Sequence, residues 1–99
     1  MSISKIVLCI SEKEDEILGK QIEMLKERHH AELVRLSADD VPRFISENET
    51  DVLFICDDEK LLAMAKEKGM ATNNPQKMRE AYAKAMEMLK GLTTPNGLL

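Results

Sequence analysis

The side chains able to do chemistry fall into three short clusters. Cys9, Ser11 and Glu12 follow one apolar run, Ser37, Asp39 and Asp40 follow a second segment, and Cys56, Asp57, Asp58 and Glu59 close a third. Carboxylates are hard oxygen donors that could hold a divalent cation such as Mg²⁺, and the cation could bring a phosphate with it. Asp57, Asp58, Asp39 and Glu12 are the candidate metal ligands. Asp57 and Asp58 come first among them, because they end the most apolar segment of the chain, which would fix their backbone. The competing role for the same residues is helix capping, which selects Asp and Ser at helix starts.

No catalytic residue can be assigned. A serine or cysteine nucleophile needs a base within reach, and the only histidines, His29 and His30, are expected on the opposite side of the sheet from Ser11 and Ser37. Adjacent histidines on a helix do not share a face, so the pair reads as a partly exposed helix end rather than a chelate. Cys9 and Cys56 each close an apolar run and read as small buried hydrophobes at similar heights on neighbouring strands. Their acidic surroundings disfavour a thiolate, and redox chemistry or a soft-metal site is the alternative. No G-x-G-x-x-G or G-x-x-x-x-G-K-S/T turn follows the first apolar run, which argues against a dinucleotide or nucleotide cofactor.

The elements that would position these clusters are legible from periodicity. Ile3 to Ile10, continuously apolar from Ile6, and Asp51 to Cys56 are too short for helices, as expected of strands buried on both faces. Ser11 and Glu14 have the spacing of a capping box, so a helix is expected from Ser11 to about His29, with Ile17, Leu18, Ile22 and Leu25 on its apolar stripe. Ala31 to Leu36 reads as a short edge strand, and Ser37 to Asp40 with Pro42 opens a short helix to about Glu47. Asp57 and Asp58 lead into a helix stopped by Gly69, and Met70 to Thr72 could add a very short strand. Asn74-Pro75 opens the last helix, expected from Gln76 to Lys90 with Gly91 as its stop.

Strands alternating with helices imply an α/β fold: a small open parallel sheet of three to four strands, with helices on both faces. Right-handed crossovers favour the order 2-1-3, with any fourth strand beside the third. This is a small flavodoxin-like layout. Residues 1–92 are expected as one domain, since 99 residues leave too little chain for a second core, and 93–99 as a loose tail. In such a sheet ligands bind beyond the carboxyl ends of the strands, between the first and third, which gathers the acidic turns on one rim.

A hydrophobic content of 43% is too high for disorder, and a net charge of −4 leaves no basic stripe for a phosphate backbone, so nucleic acid is disfavoured as a partner. The longest apolar run is far short of the roughly 20 residues that cross a bilayer, and no signal-peptide pattern opens the chain, so no membrane and a cytoplasmic location are expected. Two cysteines are too few for a disulfide framework and agree with a reducing compartment.

Residues 51–75, DVLFICDDEKLLAMAKEKGMATNNP, resemble the last strand-helix-strand of PIN-like ribonuclease domains, in which a buried strand ends in acids and a helix stops at glycine before a short strand. That resemblance implies a metal-binding carboxylate at Asp57 or Asp58. The family's first strand ends in an Asp, for which this chain has Cys9, Ile10 or Ser11. Residues 5–57 also look like a receiver domain, with Cys9 or Ile10 where the acidic pair would be and Cys56 near the phosphoacceptor position. Asp57-Asp58 is similar to the paired acids of haloacid-dehalogenase-like phosphatases, whose nucleophilic Asp after strand one has no counterpart here. A shared scaffold without its key residues points to a non-catalytic binding or regulatory domain acting through protein contacts. The alternative is a Mg²⁺-dependent phosphoryl-transfer or phosphodiester-cleaving enzyme at the acidic rim.

The last helix carries Met78, Tyr82, Ala85, Met86 and Leu89 on one broad apolar face, widened by Ala81, Met88 and Leu92. Most of that face is expected to cover the sheet. The remainder offers a surface for a protein partner or for self-association through the Met78–Leu92 helix.

Overall fold

The computed structural model describes residues 3–11, 13–48 and 50–93. Four strands, β1 (Lys5–Cys9), β2 (Glu32–Arg35), β3 (Val52–Cys56) and β4 (Ala71–Asn73), alternate with helices α1 (Glu16–His29), α2 (Val41–Glu47), α3 (Glu59–Lys68) and α4 (Pro75–Thr93). All three strand pairings are parallel and the sheet order is β2-β1-β3-β4. The layout is flavodoxin-like, with the winding reversing between β1 and β3 as expected.

The side-chain period of two explains why β1 and β3 are apolar throughout. Val7 and Cys9 of β1, with Val52, Phe54 and Cys56 of β3, face α2 and α3 and pack with Val41, Ile45 and Ala65. Ile6, Leu8 and Ile55 face the other way, against Leu18 and Ile22 of α1 and Met78 of α4. Phe54, Ile6, Leu18 and Ile55 are fully buried, each stabilising the fold by about 1.5–3 kcal/mol relative to an exposed position. The flanking β2 exposes Glu32 and Arg35 and β4 has three residues, so both edges of the sheet are short or charged.

Local capping departs from the expected pattern at α1. Its N-cap is Asp15, whose Oδ1 accepts from the Leu18 N–H at 2.8 Å, and not Ser11. The Glu14 carboxylate, expected to complete the box, instead pairs with Arg35 at 3.0 Å. The reason is tertiary: Ser11 is drawn to a partner across the sheet, described below. At its other end α1 closes on His30, which adopts the left-handed conformation (φ 52°) and donates its N–H to the Lys26 carbonyl, leaving His29 as the last helical residue. Gly69 stops α3 as expected. Its φ of 105° is open to glycine, and a Cβ there would lie 3.3 Å from Thr50 Cγ2.

Two expectations for α4 are corrected. The helix does not stop at Gly91 but continues to Thr93, a residue expected in the tail; 94–99 lie outside the described residues. One glycine costs a helix only about 1 kcal/mol, which its strongly helix-forming neighbours outweigh. Nor does most of the apolar face cover the sheet. Met78 is buried and Tyr82 half-buried, but Ala85, Met86, Met88 and Leu89 are exposed, because the three-residue β4 and the body of the sheet end before the helix does. Among the described residues, no helix is long and apolar enough to cross a membrane.

Candidate functional site

Parallel pairing brings the turns after β1, β2 and β3 to one rim. β1 and β3 run in register from Lys5 opposite Val52 to Cys9 opposite Cys56, so Ser11 and Asp57 leave the sheet side by side. Asp57 Oδ2 accepts from both the Ser11 N–H and the Ser11 hydroxyl, each at 2.8 Å. This bridge joins residues 46 apart in sequence. It is the interaction that takes Ser11 away from capping α1.

Beside the bridge a cavity of about 410 Å³ is bordered by Cys9, Ser11, Ser37, Cys56, Asp57 and Asp58, with Leu36 and Leu61 as apolar walls. On the other side of Asp57 a second cavity of about 260 Å³ lies against Glu59, Asn74, Gln76 and Arg79. Asp57 is thus the partition between two concavities. Arg79 Nε also donates to Asp15 Oδ2 at 2.8 Å, tying the N-cap of α1 to the N-terminal part of α4.

Each acid can now be placed. Asp58 is the N-cap of α3, its Oδ1 accepting from the N–H groups of Lys60 (2.8 Å) and Leu61 (3.2 Å). Asp57 and Asp58 therefore border the same cavity while directing these oxygens at different donors. Asp39 is exposed in a 3₁₀ turn, Ala38–Asp40, and lines neither cavity. Ser37, which precedes that turn, donates its hydroxyl to Asp40 Oδ2 at 3.1 Å instead of accepting a capping bond from a backbone N–H. Glu12 lies outside the described residues. Among the described residues, no three His, Cys, Asp or Glu side chains gather in a group that could hold a metal ion.

The thiols lie at the floor of the larger cavity. Cys9 is 6% and Cys56 0% exposed. Burial pushes Cys9 up to about 11, and the neighbouring Cys56, Asp57 and Asp58 push in the same direction. Cys56 is also raised, first by burial and then by the two acids. It is held back by the Asp58 N–H, which donates to its Sγ at 3.3 Å, and by a hydrogen bond from Cys9.

The carboxyls of Asp15 and Asp51 lie below the usual carboxylate range. Asp15 is lowered by the Leu18 N–H and then by Arg79, and Asp51 by the hydroxyl of Ser4. The rim therefore offers neutral thiols, carboxylates engaged by backbone and hydroxyl donors, and apolar walls.

Sequence reasoning found the cluster residues but not Arg79 or Asn74, which α4 brings beside Asp57. Only the proline-marked helix start at Asn74-Pro75 hinted at their position. Compared with known proteins, the chain matches no family model, no curated protein and no solved structure.

Proposed function

We propose that this chain is a small binding or regulatory α/β domain that acts through protein contacts rather than through catalysis, with α4 as its contact element. The observation that supports this most is the course of one apolar stripe. Met78, Tyr82, Met86 and Leu89 follow helical spacing. Met78 is 4% exposed, whereas Met86 and Leu89 are 44% and 52% exposed, so the stripe leaves the core and continues into solvent.

A second feature lies on the same side. Between α1 and α4 a groove of about 220 Å³ is lined by Gln21, Met24, Leu25, Met78 and Ala81, and Met24 is 61% exposed. Gln21 donates its Nε2 to the Met78 carbonyl at 2.8 Å, and among the described residues its buried Oε1 has no hydrogen-bond partner. The exposed Met24 and the apolar walls of this groove add adaptable surface next to the stripe.

Self-association is the form in which to test this first. Light scattering behind size-exclusion chromatography, over a dilution series, should show a concentration-dependent dimer. The substitution Leu89→Glu should abolish it while leaving the circular dichroism of the fold intact. A monomer at every concentration would remove self-association, the form that the stripe supports most directly.

A further inference from the structure

Residues 83–90 of α4 are exposed on every side of the helix, so this part projects from the body of the domain. Its charged residues, Lys84, Glu87 and Lys90, fall outside the arc of Ala85, Met86, Met88 and Leu89. A helical segment this short draws its stability from packing more than from propensity. Resting on the contact role of α4, we propose that its partner is a second copy of this chain, the two α4 helices packing antiparallel about a twofold axis at Ala85.

The helix carries both halves of such a contact. Met78, Ala81, Tyr82 and Ala85 have the i, i+3, i+4, i+7 spacing of the four residues that form a hole for a knob from a facing helix. Two of the four are alanines, and the groove of about 220 Å³ between α1 and α4 opens here, bordered by Met24, Met78 and Ala81. Leu89, half-exposed, is the knob. Ala81 and Leu89 stand four residues either side of Ala85, so in the antiparallel pair Leu89 of one copy lies level with Ala81 of the other. The same rotation carries the second copy's Leu89 to the first copy's hole, as an isologous contact requires. An unrelated protein would have to supply both a matching knob and a matching hole. At the axis the small Ala85 meets its own counterpart, which lets the two helices approach closely.

Area agrees with this occupant. Met24, Met86, Met88 and Leu89 together present on the order of 400 Å² of apolar surface, the scale of a functional patch. A standard interface takes about 800 Å² from each partner, of which a little over half is apolar. The patch therefore matches the apolar part of one such interface, with Arg28 and Lys84 at its rim.

The test uses the whole chain in a light-scattering dilution series, with variants at exposed positions whose folding circular dichroism checks. Ala81→Leu adds apolar surface, so it would strengthen a merely adhesive face; by filling the hole it should instead weaken dimerisation by about tenfold or more. Ala85→Cys should be joined across the axis by a short-span bis-maleimide, and Glu87→Cys, on the opposite face, should not. The native Cys9 and Cys56 are buried and stay out of this reaction. A dimer that Leu89→Glu abolishes but Ala81→Leu leaves intact would overturn this arrangement while the contact role of α4 stands. Equal cross-linking of Ala85→Cys and Glu87→Cys would overturn it in the same way. A monomer at every concentration would overturn the pairing itself. If that monomer sediments with phosphatidylglycerol vesicles, the face belongs to a bilayer surface and the protein-contact role falls with the pairing; if it does not, the face is left to a different protein.

Discussion

Asp57 holds Ser11 by two hydrogen bonds to one carboxylate oxygen, both 2.8 Å, and thereby fastens the end of β3 to the end of β1. Removing the carboxylate in Asp57→Ala should destabilise the fold by about 1 kcal/mol. Ser11→Ala should cost less, since the Ser11 N–H remains. Urea denaturation of the two single variants and the double variant should give a non-zero coupling energy. Strict additivity would mean that the bridge contributes nothing in solution.

Asp58 serves α3 through geometry and the thiols through charge, and the two roles separate by substitution. Asp58→Ala should lower stability by about 1 kcal/mol, as loss of an N-cap does. Asp58→Asn keeps an acceptor for the cap but removes a charge that raises both Cys9 and Cys56, so iodoacetamide should alkylate the folded protein faster. Equal alkylation rates in Asp58→Asn and the parent chain would contradict this.

The carboxylates at the rim are turned toward their own donors, so millimolar Mg²⁺ should leave the melting temperature unchanged. An ion that binds only the native state must raise that temperature. A rise of several degrees, lost in Asp57→Asn, would favour instead the metal-dependent phosphoryl-transfer alternative.

Stability should fall in mildly alkaline solution for a reason located at Cys9. Its folded value of about 11 exceeds the ordinary 9.0, so between these values the native state keeps a proton that the unfolded chain has lost. The resulting stabilisation is fully present below pH 9.0 and disappears as pH rises through about 11. Urea midpoints across that interval should decline less steeply for Cys9→Ala than for the parent.

At acid pH the sign is reversed. Asp15 and Asp51 are held below their ordinary value of 3.8, so their contributions are present above it and vanish as pH falls through the lower folded values. Asp15→Asn, which keeps the capping oxygen, should flatten the acid limb of a stability–pH curve. An unchanged limb would show that the Leu18 and Arg79 bonds are not formed.

Much of this architecture is written locally. Ile6 to Ile10 and Val52 to Cys56 announce central strands because both faces are covered, and Gly69 announces a left-handed stop because other residues are strained there. Even the three-residue β4 is foreshadowed by Met70 to Thr72, one position early. What local reading misses is competition over distance. Ser11 and Glu14 have ideal capping spacing, yet Asp57 and Arg35, far along the chain, take both side chains. Periodicity likewise marks Met86 and Leu89 as apolar-face residues without revealing that the sheet ends before it reaches them. Arg79 was invisible as a site residue because only the return of α4 places it near Asp15 and Asp57.

The earliest of the four strands in sequence order lies in the middle of the sheet, flanked by β2 and β3. Its pairing with β3 must wait for about 45 intervening residues to be placed, and parallel neighbours cannot be joined by a tight hairpin. Such non-local closure slows folding relative to a helical bundle of equal length, and until residue 56 arrives β1 keeps one unpaired apolar edge. Kinetic control of that nascent edge is therefore a demand that this topology places on the early chain.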